Sequence, residues 1–252
     1  MVLVDWIDAL VEDDVMNQEG NAAFPTTAWS TVLRAKKGSE ADFETLCKRY
    51  WYPLYAFARR SGKSPEEAED LTQGFIFKLM QRNWLEQVNP DDCKLRTFLL
   101  TRLKSYMRDE WKKQTAQKRG GVEALPKLDY ESAERFYSSE MSDKLSADRV
   151  YLRSWASEML RRTHRTLRNY YAKKNQAKEF ETLYPYIPKD EKLKPYSEVA
   201  AELGTTEDWV KTNVSRMRKR YRMVLESEVR ETLASASELE EELASLMTAF
   251  SS

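Results

Sequence analysis

Residues 196–225 read YSEVAAELGTTEDWVKTNVSRMRKRYRMVL, and the fold turns on this stretch. Tyr196, Val199, Ala200 and Leu203 recur at steps of three and four, the spacing of one helix face. Gly204 follows them, where a helix can end in a left-handed residue without steric penalty. Thr205 or Thr206 can cap a second helix, and Glu207 and Asp208 suit the positive end of its dipole. Val210, Val214, Met217, Tyr221 and either Val224 or Leu225 give that helix a buried stripe. Its other faces carry Lys211, Arg216, Arg218, Lys219, Arg220 and Arg222, with no acid among them. Small residues at Ala200, Ala201 and Gly204 let the two helices cross closely. The pattern predicts a helix-turn-helix whose second helix suits a DNA major groove. A surface hairpin with merely solvated cations is the plainer reading, but it leaves the coincidence of turn, small residues and charge unexplained. In such a unit the outward residues Lys211, Thr212, Ser215 and Arg216 are placed to read base edges. Lys219, Arg220 and Arg222 then fall towards phosphates.

The rest of the composition agrees with helices. Apolar residues make up 41% and charged residues 33% of 252, with only 7 Gly and 8 Pro to punctuate an all-β fold. The expected class is all-α, in two small helical domains joined by a linker. Lys plus Arg equal Asp plus Glu at 41 each, so total charge is uninformative. Its distribution is not. Residues 94–122 hold nine cations against two acids, and residues 1–20 hold six acids and no Lys or Arg. Residues 226–246 hold seven Glu against Arg230 alone. These acidic ends are expected to mask basic surfaces in the free protein. Cys47 and Cys93 lack any CxxC or Cys/His pairing and fit buried thiols in a reducing cytosol. The acidic start MVLVDWIDALVEDD is unlike a signal peptide, and no apolar run reaches membrane-spanning length, so no membrane partner and a cytoplasmic location are expected.

Upstream, Phe43, Leu46, Cys47, Tyr50, Leu54 and Phe57 mark a core face, with Pro53 expected to kink that helix or begin a new turn. Ser64-Pro65-Glu66-Glu67 is a strong helix start. In the helix that follows, Ala68, Leu71, Phe75 and Leu79 form the core stripe, while Asp70, Gln73, Phe77, Met80, Gln81 and Trp84 gather on the other side. Either a third helix covers that second patch or it docks another protein. Leu95, Leu99, Leu103 and Tyr106 stripe the next helix, and Lys104, Arg108 and Lys112 form a basic ridge with Trp111 beside it. Cations beside a stacking aromatic suit single-stranded nucleic acid, although a solvated basic face is the common outcome of such runs. Residues 122–146 lack sustained periodicity and read as linker. The expected boundaries are an acidic extension at 1–25, domains at 26–121 and 147–226, and an acidic amphipathic tail at 227–252.

Nothing here resembles a catalytic constellation. His164 is the single histidine, expected on a helix surface, and no glycine-rich phosphate loop occurs. Glu66, Glu67, Glu69 and Asp70 could hold Mg²⁺ for a nuclease, but the first turn of a helix collects acids for dipole reasons. No enzyme activity, cofactor or metal is expected.

The order of these parts resembles bacterial RNA polymerase sigma factors of the extracytoplasmic-function type, which keep only the second and fourth conserved sigma regions. DFETLCKRYWYPLYAFARR is similar to the opening helix of region two, and SPEEAEDLTQGFIFKLMQR to its AED-x-x-Q helix. LRTFLLTRLKSYMRDEWKK is similar to the segment that melts and captures the minus-ten element, and the opening stretch to the region-four motif for the minus-thirty-five element. The resemblance covers about residues 26–225; Ser105 and Leu95 stand where many members have Asn and Phe. It implies core RNA polymerase and promoter DNA as partners, with an anti-sigma factor as a further candidate. It implies that Asp70, Gln73, Phe77, Met80 and Gln81 dock on polymerase, and that Lys104, Arg108, Trp111 and Lys112 hold the opened strand. The alternative is a helix-turn-helix regulator that never touches polymerase.

Overall fold

Helix starts and stops follow local chemistry in the computed structural model, which describes residues 39–81, 84, 94–114, 129–140, 144–187, 193–233 and 235–250. Those residues form α1 (Glu40–Arg60), α2 (Pro65–Gln81), α3 (Leu95–Gln114), α4 (Tyr130–Glu140), α5 (Ala147–Lys173), α6 (Ala177–Leu183), α7 (Tyr196–Leu203), α8 (Glu207–Arg230) and α9 (Leu239–Thr248). Among the described residues there is no strand, and the fold is all-α. Ser39 caps α1, accepting from the Asp42 N–H at 3.4 Å. Ser64 and Glu67 form a reciprocal box at the start of α2. The Ser64 hydroxyl accepts from the Glu67 N–H at 3.2 Å, and the Glu67 carboxylate accepts from the Ser64 N–H at 3.0 Å. Pro53 lies inside α1, which continues through it.

The described residues fall into two units. The first runs from the start of α1 to Glu158 and includes Arg230–Glu238; the second holds Met159–Val229 and the described residues from Leu239 onward. In the first unit α1 packs on α2, α3 and α4, and α2 on α3. Phe43, Leu46, Cys47, Tyr50, Leu54 and Phe57 are buried, as are Ala68, Leu71, Phe75 and Leu79 of α2 and Leu95, Leu99, Leu103 and Tyr106 of α3. Burial pushes the Cys47 thiol up to about 12, so it is an inert core group. Cys93 lies outside the described residues.

Two features of the structure bear on the expected boundaries. Within the stretch read as linker, Tyr130–Glu140 is helical. Its cap is Asp129, accepting from the Ser132 N–H at 3.0 Å, and Tyr130, Ala133, Phe136 and Tyr137 turn inward. Tyr130 meets Trp51 at 5.2 Å and Phe136 meets Tyr52 at 5.2 Å, both edge to face. So short a helix is marginal alone and exists by packing, which is why periodicity over two turns understated it. Near the boundary expected at 147, the residues of α5 up to Glu158 group with the first unit. Trp155 of α5 is fully buried in the first unit beneath the Arg96 guanidinium, 5.0 Å from its ring, and Tyr151 donates to the Arg96 carbonyl at 2.9 Å.

In the second unit α5 supplies buried Met159, Thr163 and Leu167, α6 supplies Phe180 and Leu183, and α8 runs on to Arg230. Its Glu228 is buried and accepts from the Arg162 Nε at 2.8 Å, so part of the acidic tail is structural. Leu239, Leu243 and Leu246 of α9 are buried in turn. His164 is half-buried rather than a surface residue, set against Tyr184 at 4.5 Å and Phe180 at 5.5 Å, and that burial lowers its pKa. Residues 1–38, on which the expected acidic extension falls, lie outside the described residues.

Candidate nucleic-acid and protein interfaces

The turn between α7 and α8 is built as its residues require. Gly204 has φ 66° and ψ 36°, a left-handed conformation that an L side chain resists. It lets the Thr205 N–H donate back to the Ala200 carbonyl at 2.9 Å and close α7. Thr206 then caps α8, its hydroxyl accepting from the Trp209 N–H at 3.2 Å. Val210, Val214, Met217, Tyr221 and Leu225 are buried, which fixes the rotation of α8. Lys211, Thr212, Ser215, Arg216 and Lys219 are consequently exposed along one side.

The cations of α8 divide into two groups. Among the described residues Arg216 and Lys219 have no ion pair. Lys211 leans on Glu207 at 2.8 Å, and that pairing raises its pKa. The others are engaged inside the unit. Arg218 donates to the carbonyls of Tyr186 at 2.8 Å and Ile187 at 3.2 Å, satisfying the end of the 3₁₀ turn Tyr184–Tyr186. Arg222 pairs with Glu226 at 2.8 Å and its side chain is only 19% exposed. Arg220 lies over the Tyr170 ring, 3.9 Å from its centroid. The expectation that Arg222 falls towards a DNA backbone is therefore in tension with its ion pair, while Arg216 is the arginine of α8 left open.

On α3 the expected basic ridge is present but unequal. Lys104 pairs with Asp148 of α5 and sits 5.5 Å from the Phe57 ring centroid. Arg108 is exposed and steadied by the Ser105 hydroxyl at 3.0 Å. Trp111, at 63% exposure, and Met223 of α8 are the large apolar side chains most open to solvent among the described residues, and Lys112 is exposed beside Trp111. An indole held in water next to cations is a platform on which a base can stack.

On α2 Asp70 and Gln81 are exposed, Phe77 is half-buried, and Gln73 is half-buried with its amide donating to Glu69 at 2.9 Å. The Met80 side chain lies outside what is described. Trp84 does not join this patch: it stands 6.0 Å from buried Phe75, with Arg102 5.8 Å from its ring centroid. The first-turn acids are taken up locally, Glu67 in the cap and Glu66 on the Ser64 hydroxyl at 2.9 Å. Among the described residues no group of three His, Cys, Asp or Glu is placed to hold a metal ion. What the sequence reading missed was the structural use of Arg218, Arg220 and Arg222; an acid four residues after Arg222 was the one visible hint.

Comparison with known families places residues 46–117 in a match to the family model described as sigma-70 region 2, which supports a sigma-70 family sigma factor. The matched segment spans most of α1, all of α2 and all of α3, and so contains the α2 patch and the α3 ridge. Neither curated proteins nor solved structures gave a match to the chain.

Proposed function

We propose that this chain is a non-catalytic sigma factor of the extracytoplasmic-function organisation, recruiting core RNA polymerase to a subset of promoters. The observation that carries this is the pairing of a region-two match over residues 46–117 with a capped helix-turn-helix whose second helix leaves Arg216 and Lys219 open. In this reading Asp70, Gln73, Phe77, Met80 and Gln81 meet polymerase. Arg108, Trp111 and Lys112, with Lys104 once released from Asp148, take the opened strand. Lys211, Thr212, Ser215, Arg216 and Lys219 face the upstream element. No helix among the described residues is long and apolar enough to cross a membrane, and a transcription factor of this kind works in the cytoplasm with polymerase. An anti-sigma factor is a further candidate partner.

Reconstitution tests the proposal. Purified core polymerase plus this chain should initiate from a subset of genomic fragments that core alone ignores. Replacing Gln73 and Phe77 with alanine should weaken holoenzyme formation while the helical circular-dichroism signal stays. Unaltered core binding would sink the docking assignment, and unfolding would make Phe77 a core residue. Tight sequence-specific binding to duplex DNA by the chain alone, with no polymerase association, would favour the independent regulator.

A further inference from the structure

Where α5 ends, Tyr170 is attended by two cations from different helices. The Arg220 guanidinium carbon is 3.9 Å and the Lys174 Nζ 4.6 Å from its ring centroid. The ring itself is seated, edge to face on Tyr171 at 5.4 Å, which in turn contacts buried Phe180 at 5.7 Å. Among the described residues no carboxylate pairs with Lys174 or Arg220. Every polar group here can donate: the guanidinium fork, the ammonium N–H bonds and the phenol O–H. The negative end of α5 explains a lysine at 174, but it does not explain why Arg220 of α8 is laid over the same ring. Two cations gathered without an acid repel one another until an anion arrives. The same field shows in the Tyr170 phenol, whose pKa is lowered by the neighbouring Lys174 and by the charge of Arg220.

We propose that Tyr170, Lys174 and Arg220 form a phosphate-binding site that grips the DNA backbone beside the groove entered by α8, a proposal that rests on the helix-turn-helix reading. Arg220 stands one turn after Arg216 on α8, so the site continues the line of side chains aimed at bases. Phosphates flank a groove, and contacts to them set the register in which bases are read. Stacking on Tyr170 holds the Arg220 fork nearly in place, so little side-chain freedom is lost when it takes a phosphate. Tyr170 and Lys174 thereby extend the footprint from α8 onto a second helix.

The test uses the full chain and a labelled duplex of generic sequence, with binding measured across a salt series. Lys174→Ala and Tyr170→Leu should both weaken binding. Loss of one phosphate contact should make the ratio of wild-type to Lys174→Ala affinity shrink by roughly 3.5-fold between about 50 and about 200 mM salt. The base preference in a duplex library should not move. Binding curves of both variants superimposed on wild type at every salt would overturn the site. Arg216→Ala in the same series separates the two readings. If it weakens binding while Lys174→Ala does not, only this site fails; if neither changes anything, the helix-turn-helix reading fails with it.

Discussion

The Arg59 guanidinium grips the Glu134 carboxylate by two parallel hydrogen bonds, Nε to Oε2 at 2.8 Å and Nη2 to Oε1 at 2.7 Å. Tyr55 donates to the same carboxylate at 2.6 Å, so three donors from α1 fasten α4. This bidentate geometry is the strong form of the arginine–carboxylate pair, and neither side chain is more than 27% exposed.

From that clamp follows an acid dependence. The Glu134 carboxyl is held below its usual range, first by the Arg59 hydrogen bond. A depressed folded value means the stabilisation is present above the unfolded carboxyl value, about 4.3, and is lost as pH falls through the folded one. Glu134→Gln should loosen α4 by about 1 kcal/mol at neutral pH, the scale of a partly exposed pair, and should remove the wild type's loss of protection on acidification. Amide exchange of residues 133–138 measures both. Equal acid sensitivity in wild type and variant would count against the clamp.

Gly74 gives a packing prediction. A Cβ built there would collide with the Tyr106 hydroxyl, so the absence of a side chain is what lets α2 approach α3. Gly74→Ala should destabilise by about 1–3 kcal/mol in urea unfolding, as overpacked sites do. Adding Tyr106→Phe, which removes the offending oxygen, should restore most of the loss.

Arg216 and Arg218 stand two residues apart and should fail in opposite ways. Arg216→Ala should leave the melting temperature unchanged while relaxing preference at one upstream promoter position, since a bidentate contact to guanine is worth about 1–3 kcal/mol of discrimination. Arg218→Ala strips the donors from the Tyr186 and Ile187 carbonyls, so it should lower stability first and DNA binding only in consequence. A library selection with holoenzyme, paired with thermal melts, distinguishes the two. An unchanged selected sequence with Arg216→Ala would remove that residue from base reading.

For Trp111 the expected signature is a step in initiation. Trp111→Ala should reduce open-complex formation more than closed-complex binding, with a stacked base worth about 1–3 kcal/mol. Permanganate reactivity of unpaired thymines, compared with footprinting of the closed complex, reads the difference. Equal loss of both would assign Trp111 to structure.

Wherever an apolar stripe persisted for three turns or more, the helix and its buried face were legible from residues alone. Phe43 through Phe57, Ala68 through Leu79 and Leu95 through Tyr106 are buried as spaced, because an amphipathic helix has one way to remove that stripe from water. The turn was legible too, since only glycine sits at φ 66° without strain and the hydroxyl of Thr206 lies within reach of the orphan N–H of Trp209. The exposed side of α8 then followed from its buried side.

What the sequence could not assign was the partner of each long polar side chain. Arg216, Arg218, Arg220 and Arg222 are chemically identical and all sit off the core stripe. Tertiary placement opened the first, spent the second on two carbonyls and laid the third over Tyr170, while the fourth pairs locally with Glu226 one turn on. In the same way Lys104 met Asp148 from 44 residues away, and Trp84 turned to Phe75 instead of the α2 patch. The helix Tyr130–Glu140 exists because Arg59, Trp51 and Tyr52 were waiting for it. A helical stripe is local and periodic, so the chain states it directly. The choice among distant partners for a flexible charged or aromatic side chain depends on which helices end up side by side, and only the folded structure decides that.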